Sequence, residues 1–196
     1  MSLVEILKQI TRLSSNSTPK EKIDLYHEAG EISRSLGHYE QAIRYFLAEL
    51  HQAQASNIRD DILYAHRFLG ECYLENNQFL LSEKYHLTFL ALAKEYGYDE
   101  RIEQAYTCLT NTYWLWLSYL QEDVLYDAEN DQLPKELCQK SFQAAENSLA
   151  MIEKLEKKSI KQKQQDLVLR RVRSYINIGR RIDFGEMCEF FFDLFS

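Results

Sequence analysis

The 196-residue chain predicts an all-α protein, a right-handed superhelical stack of helical hairpins with a period near 40 residues. Composition gives the first reason: only 6 Gly and 2 Pro accompany abundant Leu, Glu, Lys, Gln and Ala, too few turn signals for an all-β fold. Self-alignment gives the second, because Gly30, Gly70 and Thr110 fall 40 residues apart with similar neighbours. The third is a size pattern: a small residue follows each glycine by 12 positions (Ala42, Ser82) and a ring stands 4 further on (Phe46, His86). Two helices packed about 8–10 Å apart leave no room for a side chain at some crossings, so Gly30 and Gly70 read as packing notches.

The elements follow in order. Leu3, Ile6, Leu7, Ile10 and Leu13 share one face, so residues 1–18 are expected to form a leading amphipathic helix and a linker. Thr18, Pro19 and Glu21 spell a capping box that opens the repeat domain at 19–184. Its repeats are placed near 19–57, 58–98 and 99–158, with a partial repeat at 164–184. In the third, Tyr106, Leu109 and Tyr113 keep the pattern, an acidic insertion occupies 118–137, and Ser141, Ala145 and Ser148 resume the second-helix ridge. Gly179 in RSYINIG marks a fourth beginning. The expected packing set is Gly30, Ala42, Phe46, Leu69, Gly70, Tyr73, Tyr113 and Gly179. Residues 185–196 carry Phe190, Phe191, Phe192 and Phe195 with no polar helix to cover them, as expected of an atypical or truncated tail or a fragment of a longer protein.

A net charge of -7 argues against holding nucleic acid by bulk electrostatics. No segment approaches the roughly 20 apolar residues of a membrane span, and the first residues lack a secretory pattern. Cys72, Cys108, Cys138 and Cys188 stand too far apart for a zinc or disulfide framework. No phosphate loop, HExxH or GxSxG is present, so no enzyme, cofactor, metal or small-molecule substrate is expected. His66 and His86 fall at packing positions. The basic zone at Lys154–Lys163 and Arg170–Arg181 suits either an exposed helix end or a nuclear-import or phosphate contact.

The repeat resembles the tetratricopeptide repeat, whose period is usually about 34 residues. That resemblance implies a concave groove lined by the first helix of each hairpin, here by His27, Glu31 and Arg34, by Arg67, Glu71 and Glu75, and by Asn111 and Trp114. Glu31, Glu71 and Glu75 make the groove acidic and favour a basic or amphipathic segment, unless the face is merely solvated. His27 with Glu31 stands where chaperone-clamping repeats carry Lys and Asn, which argues against chaperone docking. The Trp114, Leu115, Trp116, Leu117 and Tyr119 run is either a partner site or a surface covered by the insertion.

Taken in order, MSL, the AHRFLGECYLENNQFLLSEKYHLTFLALAKEYG block, QAYTCLTNTYW, SFQAAENSLAMIEKL and RSYINIG resemble the amino-terminal repeats of the Tonsoku-like protein family. The resemblance implies a non-catalytic nuclear scaffold for replication-fork repair and homologous recombination, with histone chaperones, replication-fork proteins or a repair scaffold as partners. No ankyrin or leucine-rich segment is present, so histone-tail reading carries over to no residue here. Two other readings stay open: a cytosolic adaptor in motor, polarity or signalling complexes, and a fragment of a larger enzyme.

Overall fold

In a computed structural model, the structure describes residues 3–12, 17–122 and 132–158, which form seven α-helices and no strand. They are α1 (Leu3–Thr11), α2 (Pro19–Ser35), α3 (Tyr39–Ala55), α4 (Arg59–Glu75), α5 (Phe79–Tyr96), α6 (Asp99–Glu122) and α7 (Leu133–Lys158). The chain divides into two compact units, Met1–Glu95 and Tyr96–Ser196. The expected all-α fold of packed helical hairpins is the one observed. Gly179, the partial repeat at 164–184 and the tail at 185–196 lie outside the described residues.

Local chemistry sets the helix ends. Thr18 Oγ1 accepts from the Glu21 amide at 3.2 Å while Glu21 Oε2 accepts from the Thr18 amide at 2.8 Å, so α2 opens with a complete capping box and Pro19 in its first turn. The helices close on a left-handed residue repeated every 20 positions: Gly37 (φ 75°), Asn57 (54°), Asn77 (56°) and Gly97 (72°). After α2, the Gly37 amide donates to the Arg34 carbonyl and the His38 amide to that of Ser33, the bond pattern of a Schellman cap; the same bonds recur around Asn57 and Asn77. Two 17-residue helices with their three-residue joints therefore make one 40-residue repeat.

In the first unit α1 packs on α2 through the fully buried Ile6, and α2, α3 and α4 enclose a core of Ile23, Ala42, Phe46, Leu50, Phe68, Leu69 and Cys72. Tyr73 stacks on Tyr85 of α5 at 5.2 Å. In the second unit α6 and α7 bury Leu109, Tyr113, Leu117, Leu137 and Ile152. The insertion expected at 118–137 is shorter than that: α6 continues to Glu122 and α7 begins at Leu133, so both helices outgrow the 17-residue length of α2, α3 and α4 by two or more turns. Leu117 is buried and Leu137 fully so, which rewards the extension.

The notches have a measurable shape. A Cβ on Gly30 would lie 2.6 Å from the Phe46 ring, and one on Gly70 would collide with Cδ2 and Nε2 of His86. Both rings are fully buried. In the third hairpin the register of Ala42 and Ser82 is held by Ser141, whose hydroxyl donates to the Thr110 carbonyl at 3.2 Å. Four residues on, the ring position is held by Ala145. The bulk has changed sides: a larger notch residue, Thr110, goes with a smaller residue at the facing register.

Candidate partner-binding face

The first helices of successive hairpins, α2 and α4, meet at an offset of 41 residues repeated every seven. Lys20 Nζ donates to both carboxylate oxygens of Asp61, His27 lies edge-on to Phe68 with centroids 4.9 Å apart, and Arg34 grips Glu75. Helical residues seven apart lie on one face, so these three pairs form a single seam. Its ends are ionic and its middle is aromatic.

The expected acidic groove is corrected by its own arginines. Arg34 donates Nε to Glu75 Oε2 at 2.9 Å and Nη2 to Oε1 at 2.7 Å, places Nη1 2.8 Å from Glu71, and approaches Glu31 at 3.5 Å. Arg67 Nε donates to the other Glu71 oxygen at 2.7 Å. The hydrogen bonds to Glu75 hold the Arg34 guanidinium's pKa above its already high ordinary value. Three carboxylates thus face two guanidiniums, which leaves one negative charge rather than three. Both guanidiniums also sit over the Phe68 ring, at 5.9 and 5.0 Å. The sequence hid this because the partners of Arg34 on α4 lie some 40 residues away.

His27 was expected to line the groove; it is instead turned toward α3 and α4. Its Nδ1 lies 3.1 and 3.3 Å from the two oxygens of Glu49, and its ring packs edge-on against Phe46 and Phe68. Glu49 is 1% exposed. Its carboxylate raises the pKa of His27, while burial raises that of Glu49. The corresponding positions are Phe89 on α5 and Ser148 on α7. Nothing in periodicity alone marks position 49 as a charge site.

On α6 the register of Glu31 and Glu71 is occupied by Asn111, which is exposed, and that of Arg34 by the half-buried Trp114. Leu115 and Tyr119 are 46% and 49% exposed, whereas Leu117 is buried. This face is neutral and apolar where α2 and α4 are paired and charged. Behind it, Glu103 accepts hydrogen bonds from Thr107 and Ser148. At the hairpin's end Lys154 bonds Asp99 at 2.7 Å, which assigns one residue of the basic zone a fold contact.

Buried histidines behave as packing groups. Burial drops the pKa of both His66 and His86 to about 4. Cys72 is fully buried and its thiol is pushed up to about 12, so it stays protonated. Among the described residues no group of His, Cys, Asp and Glu is placed to hold a metal ion, and no helix is long and apolar enough to cross a membrane.

No protein-family model matches the chain. It is 26% identical over 185 residues to the Tonsoku-like protein of Mus musculus, an alignment spanning 91% of this chain and 12% of that protein. The chain therefore corresponds to about an eighth of its relative's length. With the repeated hairpins, this similarity supports a related helical-repeat scaffold and nothing narrower.

Proposed function

We propose that the chain is a non-catalytic protein-binding scaffold module, working in a nuclear complex for replication-fork repair and homologous recombination with histone or histone-chaperone partners. The observation that carries this reading is the similarity to Tonsoku-like protein along nearly the whole chain, on a fold of stacked hairpins. Rigid hairpins present a preformed surface, which lowers the ordering cost of capturing a partner segment. Each of the two units offers a chemistry of its own. Arg34, Arg67, Glu71 and Glu75 form a paired network that would orient a polar segment, and Asn111, Trp114 and Leu115 offer an apolar anchorage.

Affinity purification from dividing cells after replication stress tests this, comparing the chain with an Asn111→Arg variant that adds charge at an exposed position. Recovery of histone chaperones and replication-fork proteins, lost in the variant, supports the reading. Recovery of motor, cortical or signalling proteins in their place defeats the assigned function while leaving the fold intact.

A further inference from the structure

We propose that His27 and Glu49 form a pH-sensitive clasp, closed when His27 is protonated, that fastens the groove helix α2 to α3 and loosens as the solution turns alkaline.

The clasp rests on geometry. Both oxygens of a 1%-exposed carboxylate meet one imidazole nitrogen, and that imidazole is fixed by aromatic edges from α3 and α4. A buried carboxylate keeps its charge only with a cation beside it. Lys20 acts on Glu49 from α2, but its ammonium is already held by Asp24 at 3.0 Å and Asp61 at 2.9 Å. The other charges that act most on the pair are carboxylates: Asp24 and Glu31 of α2, which favour the imidazolium, and Asp61 of α4, which disfavours a second anion at Glu49; the Arg34 and Arg67 guanidiniums lie across the Phe68 ring and are held by Glu71 and Glu75. When His27 loses its proton, the buried Glu49 keeps at most a neutral N–H donor from the ring in place of a cation.

The sign follows from linkage. The folded pKa of His27 lies above the ordinary 6.5, so the folded chain binds more protons than the unfolded one above that pH. The stability contributed by the clasp is complete below the unfolded value and is lost as pH rises through the folded one. Phe68, one wall of the clasp, also carries Arg34 and Arg67, so opening disturbs the charged network on the groove side.

Thermal melting of the full chain at intervals from pH 6 to 9 tests the clasp in three proteins: the native sequence, Glu49→Gln, and His27→Lys. Lysine keeps its charge across that range, and the equivalent register on α4 already holds a cation, Arg67. The native 196-residue chain is expected to lose about 2–4 °C of melting temperature toward pH 9, with both variants nearly flat. An equal slope in all three overturns the proposal. Should either variant fail to fold, an NMR titration of the native His27 ring decides: a midpoint above 6.5 supports the clasp, and one at or below it overturns it.

Discussion

Gly70→Ala is the sharpest test of the hairpin packing, because it adds one methyl where the structure has no space. A Cβ there meets Cδ2 and Nε2 of His86 in collision and Cε1 at 2.9 Å, and the ring is fully buried, so it has nowhere to withdraw without moving α5 against α4. In an exposed helix, alanine would stabilise by about 1 kcal/mol over glycine. Overpacking of a filled core costs about 1–3 kcal/mol. The expected result is a net loss of up to about 2 kcal/mol, with Gly70→Leu worse. The pair Gly70→Ala with His86→Ala separates this mechanism from any other. His86→Ala alone leaves a cavity and destabilises, but combined with Gly70→Ala it moves toward the third hairpin, where Ala145 holds the ring register and the notch residue, Thr110, is larger than glycine. Urea unfolding followed by circular dichroism gives the four free energies. A favourable coupling of about 1–3 kcal/mol is expected for residues in such contact. Additive losses would refute the notch.

Arg34→Gln should cost about 1–2 kcal/mol, since the charge-assisted bonds to Glu75 and Glu71 are lost at a partly exposed site; Arg34→Lys should recover only part of this, because an ammonium cannot reproduce the two-pronged grip. The difference between native and variant melting temperatures should shrink at high salt. His66 and His86 have folded pKa values near 4, below the ordinary 6.5, so stability present above pH 6.5 is lost as pH falls toward 4. His86→Phe, copying Phe46, should blunt that acid loss in melts between pH 7 and 4; an unchanged acid limb would count against a neutral buried ring. Asn77→Gly should leave stability equal or higher, whereas Asn77→Val should lower it by about 1–2 kcal/mol, since a branched side chain tolerates φ 56° poorly; calorimetry distinguishes the two.

What the sequence shows and hides divides along physical lines. Features read within one helix or one repeat were legible: the Thr18, Pro19, Glu21 cap, the spacing from Gly30 to Phe46 and from Gly70 to His86, and the buried placement of His66 and His86. The left-handed residues at 37, 57, 77 and 97 are equally present in the sequence, as a glycine or asparagine every 20 positions. The charge balance of the groove was not legible. It depends on which α4 carboxylate lies beside Arg34, and that offset of 41 is fixed only when α4 packs on α2. The inward turn of His27 was hidden for another reason: its partner Glu49 stands where the other second helices carry Phe89 and Ser148. A single substitution on α3 redirected a residue on α2. The ends of α6 and α7 were misjudged because SYLQE and LPKEL look polar enough for an insertion, while Leu117 and Leu137 at their inner edges already commit the helices to continue.

The 40-residue period and the 41-residue contact offset together explain why the first unit carries its charges where it does. A pair at offset 40 would join equivalent residues, so both partners would come from the same column of the repeat and would tend to be alike, as with His27 and Arg67 or Glu31 and Glu71. The extra residue joins different columns: Lys20 meets Asp61, and Arg34 meets Glu75. Opposite charges can then be written into the repeat without placing like charges side by side. Residue 27, midway along the seam, meets Phe68 under the same rule. Changing a joint such as Asn57–Ile58 by one residue would shift every pair of this seam at once, so a one-residue insertion there should cost more than the loss of either ionic pair alone. Chemical denaturation of that insertion beside Lys20→Ala and Arg34→Ala provides the comparison, and an insertion no worse than either substitution would remove the seam as the element that sets hairpin stacking.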